Sequence, residues 1–132
     1  MMRYHIFLIE DDVYFDYFYK TDLLFEFLSE YMEEPSRIDL KRQFQYITCE
    51  IPHDEISYSE QSIYISERII TVFADQESIL DTQFVSTLDK IDRHCFIIND
   101  SNNNYGWLKP NKNEFLWKKQ FGSTLFAQTI NQ

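Results

Sequence analysis

The chain reads as an α+β protein, a single domain in which helices pack on a mixed sheet of about five strands. Three observations predict this. Residues 3–9 are apolar on both alternating faces, as in a strand inside a sheet covered on both sides. From residue 11 to about residue 48 the apolar positions recur with a helical period. Beyond them, two pairs of short β-branched and aromatic runs, each folded about a tight turn, enclose one further helical stripe. With 132 residues, 44% hydrophobic and 17% aromatic, the chain is large enough for one packed core and too small for two.

The first strand, residues 3–9, should be central. From Asp11, a good capping residue, a helical pattern runs to about Lys20 and continues or restarts at Thr21-Asp22 before ending near Met32. In its second half Leu24, Phe27, Leu28 and Tyr31 share one face, as in a core helix. Pro35-Ser36 opens another helix, with Ser36 and Asp39 in capping-box spacing and Leu40, Phe44 and Ile47 on one side. Residues 53–61 are polar and read as a loop or edge segment. Ser62 to Ser66 and Ile69 to Ala74 read as a hairpin around Glu67-Arg68. Ser78 caps a further helix with Leu80, Phe84, Leu88 and Ile91 as its apolar stripe. A last hairpin joins Cys95-Phe96-Ile97-Ile98 to Tyr105-Gly106-Trp107-Leu108 through the loop Asn99 to Asn104, whose residues tolerate left-handed turn geometry. Gly106, one of only two glycines, marks the sharpest bend expected there. Residues 1–110 thus form the domain. The segment 111–132, with Phe115, Leu116, Trp117, Phe121, Leu125 and Phe126, is too apolar for a free tail and should dock on the domain or on a second copy.

Composition excludes several functions. A net charge of −10 repels a phosphate backbone, so direct nucleic-acid binding is disfavoured. Two glycines, Gly106 and Gly122, cannot make a phosphate-cradling loop. Cys49 and Cys95 show neither metal spacing nor a disulfide framework, no stretch approaches the ~18 apolar residues of a membrane span, and no signal peptide is visible. A reduced, cytoplasmic protein without cofactors is expected. Glu10-Asp11-Asp12 suits a helix N-terminus better than a hard metal, since it lacks calcium-loop spacing. His53-Asp54-Glu55 reads as a polar loop rather than a ligand set. His94 and Cys95, neighbours on a strand, point to opposite faces and cannot act as base and nucleophile.

The first helix is the more informative surface. Tyr14, Phe15, Phe18 and Tyr19 lie on one arc, the expected core face, and Val13, Asp16, Tyr17 and Lys20 on the other. Val13 and Tyr17 then form an apolar pair beside two charges, the kind of small anchor that a protein interface uses. The bland alternative is that a loop or the C-terminal segment covers both.

Three strings, Tyr4-His5-Ile6-Phe7-Leu8-Ile9, Gln43-Phe44-Gln45-Tyr46-Ile47-Thr48 and Tyr105-Gly106-Trp107-Leu108, in this order and spacing, resemble the sporulation inhibitor of replication (SirA) family. The likeness spans about residues 3–110. It implies a non-enzymatic inhibitor of replication initiation that binds the N-terminal interaction domain of the initiator DnaA at entry into sporulation. It also implies a partner surface of Val13, Tyr17 and Gln43, with Asp16 and Lys20 beside them. The family pattern has a larger aromatic where this chain has Val13. Two other readings stay open: an acidic DNA mimic that occupies a basic partner's nucleic-acid site, and a cysteine hydrolase using Cys49 or Cys95 with a distant His.

Overall fold

The computed structural model describes residues 2–55, 63–74, 88, 91–101, 103–108 and 115–117. The element order is β1 (Met2–Ile9), α1 (Asp11–Tyr17), α2 (Thr21–Glu33), α3 (Ile38–Ile47), β2 (Ile63–Ile65), β3 (Ile70–Ala74), β4 (His94–Asn99), β5 (Asn104–Leu108) and β6 (Phe115–Trp117), with a short 3-10 turn at His53–Glu55. The strands form one sheet in the order β2-β3-β1-β4-β5-β6. The α+β class is as the sequence predicts. Every described pairing is antiparallel, however, so the sheet is not mixed, and it gains a sixth strand from β6. That follows from the connections: β2–β3 and β4–β5 are hairpins, which can only join antiparallel neighbours by short turns.

β1 is central, flanked by β3 and β4, and alternation along it sorts the core into two layers. Tyr4, Ile6 and Leu8 point to one side, where they join Ile63, Val72, Cys95, Ile97 and Leu108 with Ile51, Leu88 and Ile91. Phe7 and Ile9 point to the other, where Phe96, Ile98, Tyr105 and Trp107 meet Val13, Leu24, Leu28, Phe44 and Ile47 of the three helices. Leu24 and Leu28 on α2, and Leu40, Phe44 and Ile47 on α3, are the buried residues of those helices, and they match the predicted stripes. Aromatic packing ties this layer together: Tyr31 stacks on Phe44 with centroids 3.9 Å apart, and Phe25 stacks on Tyr105 at 4.0 Å.

Local details depart from expectation at Asp11, Ser36 and Gly106. Asp11 and Ser36 are not caps: the residues before α1 and α3 are Glu10 and Arg37, and neither makes a side-chain capping bond. At α3 an ion-pair cluster stands in for the capping box, with Arg37 bonded to Glu34 and Asp39. Of the two courses expected after Lys20, the helix restarts at Thr21 rather than continuing, and Lys20 N–H bonds back to the Tyr17 carbonyl in the break. Gly106 sits inside β5 opposite Ile97, and the left-handed residue of the turn is Asn103, with φ 58°. Asparagine meets that need because its short polar side chain tolerates the left-handed region.

The helix expected from Ser78 lies outside the described residues except at Leu88, which is helical and buried, and Ile91, also buried. Among the described residues no helix is long and apolar enough to cross a membrane.

Candidate functional site: a groove between the three helices

A network at one end of the sheet fixes α1 and α3 relative to each other. Glu10 alone separates β1 from α1, and its N–H donates to the Ile47 carbonyl at 3.0 Å. Cys49 N–H donates to the Leu8 carbonyl at 2.8 Å, and Ile9 bridges Thr48. The buried Thr48 hydroxyl donates to the Phe44 carbonyl at 2.7 Å. Arg68, in the β2–β3 turn, reaches across to donate to the Thr48 and Gln45 carbonyls at 2.6 and 3.2 Å. A guanidinium at a helix C-terminus satisfies carbonyls that have no partner within the helix and opposes the negative end of its dipole. Nothing in the sequence singled out Arg68, because its partners are 20 and 23 residues away.

This anchoring also sets the rotation of α1, and it overturns the predicted core face. Val13 is the buried residue of the helix, 7% exposed, packed in the layer that holds Phe7 and Ile9. Tyr14 turns to the sheet, stacked on His94 at 3.6 Å and edge-on to Trp107 at 4.8 Å. Phe15, Phe18 and Tyr19 are exposed. A helix that starts one residue after a strand must put its first turn over the strand end, so Val13 rather than Phe15 faces inward. Amphipathic projection cannot see that constraint. Trp107 Nε1 then donates to the Phe18 carbonyl at 3.0 Å, which ties down the end of α1.

Between α1, the start of α2 and the second half of α3 lies a groove of about 330 Å³. It collects Val13, Asp16, Tyr17 and Gln43, four of the five partner-site residues named from the sequence. Val13 is not the exposed anchor expected. It belongs to the floor, together with the buried Leu24 and Ile47, while Tyr17, 40% exposed, stands at the wall. Lys20 does not line the groove. Its ammonium lies over the rings of Tyr17 and Tyr19, 5.7 and 5.4 Å from their centroids. Leu23, Phe27 and Tyr46 complete the walls, and Asp12 with Asp16 and Gln43 forms a polar rim. Tyr46 was legible in principle: it sits three residues after Gln43, hence on the same side of α3, and is strongly exposed. The arrangement is an apolar slot with an acidic edge, suited to receiving a side chain of another protein.

Both thiols are buried, and neither is part of a disulfide. Burial, and after it the nearby Glu10 carboxylate, pushes the Cys49 thiol up to about 11. Cys95 is fully buried in the layer opposite the one that Tyr14 brings against His94. Among the described residues no group of three or more His, Cys, Asp or Glu is placed to hold a metal ion.

Two overlapping stretches, residues 2–61 and 53–112, match the model of the family described as sporulation inhibitor of replication protein SirA. The chain belongs to the SirA family. No curated protein matches it. The family is one of sporulation-related replication inhibitors, a regulatory rather than an enzymatic class. The matched stretches include all three helices that build the groove.

Proposed function

We propose that this SirA-family chain is a cytoplasmic, non-enzymatic inhibitor of replication initiation that binds the N-terminal interaction domain of DnaA at entry into sporulation. The helix groove is the docking surface in this reading. Tyr17 and the apolar walls from Leu23, Phe27 and Tyr46 receive an apolar side chain of the partner, Val13 supports them from below, and Gln43 and Asp16 hydrogen-bond at the rim. Lys20 holds the Tyr17 ring from outside. Occupying the partner domain would compete with the contacts through which the initiator assembles.

One observation carries the proposal: α1 and α3, separated along the chain by the whole of α2, put Tyr17 and Gln43 on the same groove. Exposed aromatics around an apolar floor are the composition of an interface centre rather than of a catalytic cleft. The domain organisation proposed with it is a SirA-like unit through about residue 110 and an appended segment from 111 to 132. β6 shows that part of this segment joins the sheet.

The acidic-mimic alternative predicts different salt behaviour. Binding measured by surface immobilisation at about 50 and 200 mM salt should change less than about tenfold if an apolar anchor dominates, whereas charge mimicry should lose far more. A steep loss, together with Gln43→Ala binding as well as the parent, would overturn the groove reading.

A further inference from the structure

The three helices do not cover the whole sheet face on which they pack. Alternation along β1 turns Arg3 and His5 to the same side as Phe7 and Ile9, but there the sheet and the second half of α2 bound a cleft of about 570 Å³ instead of a packed layer. That volume lies in the range of small-molecule sites. The cleft and the helix groove have no lining residue in common.

The sheet side of the cleft is polar and already organised. Strand pairing sets His5 opposite Thr71 on β3 and Ile98 on β4. Its Nδ1 lies 3.2 Å from the Thr71 hydroxyl and its Nε2 3.4 Å from Asp100 Oδ2, an oxygen that also accepts from Arg3 Nε at 2.8 Å and from Arg3 Nη2. On the helix-covered face of a central strand an apolar residue would extend the core without desolvation cost, so a histidine there marks a surface kept polar. Burial holds the imidazole below its ordinary 6.5, hence neutral at pH 7. Among the described residues every side-chain bond to Asp100 falls on Oδ2, which leaves Oδ1 open to a ligand.

The α2 side supplies acceptors and aromatic surface. The Ser29 and Tyr31 hydroxyls have no hydrogen-bond partner among the described residues, and the Glu33 carboxylate is exposed at the edge. Phe25 and Tyr31 each have one ring face taken, by Tyr105 and Phe44, and both rings line the cleft. Two carboxylates, Asp100 and Glu33, meet one guanidinium there, and the chain's net charge of −10 acts in the same direction, so a positive ligand is favoured.

We infer that this cleft binds a small organic cation, a protonated amine carried on a flat apolar body. The ammonium, with three donors and no acceptor, bonds to Asp100 Oδ1 and the Glu33 carboxylate, and the body packs on Phe25 and Tyr31. The site is separate from the helix groove and does not rest on the partner reading.

Phenethylamine, with phenylacetate as its anionic counterpart, tests this by nuclear magnetic resonance titration of the isotope-labelled full chain at about 150 mM salt. Saturable shifts are expected at Arg3, His5, Thr71 and Asp100 while Tyr17 and Gln43 stay unmoved, with a Kd at least about tenfold tighter than that of phenylacetate. Asp100→Asn should weaken phenethylamine about tenfold and Glu33→Gln, at an exposed position, about threefold. Glu33→Gln decides alone if the Asp100 variant fails to fold. No saturable shift at the cleft, equal affinity for phenylacetate, or a Kd that the folded variants leave unchanged overturns the inference. Shifts spread evenly over Asp12, Asp16 and the cleft overturn it also, because they show only counterion attraction to an acidic surface.

Discussion

Removing the indole of Trp107 should loosen the fold and α1 together. The side chain is buried, packs edge-on against Phe96 at 5.0 Å and Tyr14 at 4.8 Å, and donates from Nε1 to the Phe18 carbonyl. Two variants separate these roles. Trp107→Phe keeps most of the ring packing but removes the donor, and should cost about 1–2 kcal/mol, the usual worth of a hydrogen bond whose acceptor is left without its partner. Trp107→Ala empties an aromatic site in the core, which costs about 3–5 kcal/mol, with the lost hydrogen bond adding to it. Since a domain of this size has about 5–15 kcal/mol in total, the alanine variant should be marginal. Urea unfolding followed by far-ultraviolet circular dichroism reads both, because an m-value of about 1–3 kcal/mol/M turns 1–2 kcal/mol into a midpoint shift of roughly 0.3–2 M. An unshifted midpoint for Trp107→Phe would refute the claim that the indole N–H anchors α1. A loss below about 2 kcal/mol for Trp107→Ala would refute its place in the core.

Stability should also depend on pH through His5. Burial, the largest influence, pulls its imidazole below the ordinary 6.5 despite the hydrogen bond to Asp100. The unfolded chain therefore binds more protons between the folded value and 6.5, so stability is full above 6.5 and falls as pH drops through that window. Asp100 acts in the same sense at lower pH: burial pushes its carboxyl up, but hydrogen bonds from Arg3 and His5 outweigh it and hold the group below 3.8, so its contribution is lost as pH falls through the folded value. Urea midpoints from about pH 5 to 7.5 should rise with pH, and His5→Gln should flatten the rise; an unaltered slope would contradict the assignment. Arg68→Ala should cost about 1–3 kcal/mol by releasing the Gln45 and Thr48 carbonyls, and should weaken partner binding through α3 although Arg68 does not line the groove. A variant as stable as the parent would show that the end of α3 is held by other means.

Much of the fold was legible because it depends on local periodicity. Leu24, Leu28, Leu40, Phe44 and Ile47 are buried as their spacing required, and the double-sided apolar run at 3–9 became the central strand. What sequence could not show depends on junctions. The face of α1 is set by the one-residue link at Glu10 and by the Glu10–Ile47 hydrogen bond, and these bury Val13 while exposing Phe15. For the same reason the groove was only partly visible. Tyr17 and Gln43 could be named, but Leu23, Phe27 and Tyr46 join them only through the packing of α2 and α3 on the sheet.

Titration calorimetry of the chain and of Tyr17→Ala against the isolated N-terminal domain of its host's DnaA tests the central claim most directly. About two-fifths of Tyr17 is exposed, so of the ~150–250 Å² that a tyrosine can bury roughly 80 Å² is open to a partner, worth about 2 kcal/mol at ~25 cal/mol per Å². By the same coefficient the covered three-fifths, roughly 120 Å², means that the variant should also lose about 3 kcal/mol of stability, less than the ~5–15 kcal/mol that holds such a domain folded. The account predicts saturable 1:1 binding that Tyr17→Ala weakens by about 1–3 kcal/mol, roughly five- to 150-fold in Kd. No binding to a verified folded domain, or binding that Tyr17→Ala leaves unchanged, would contradict it.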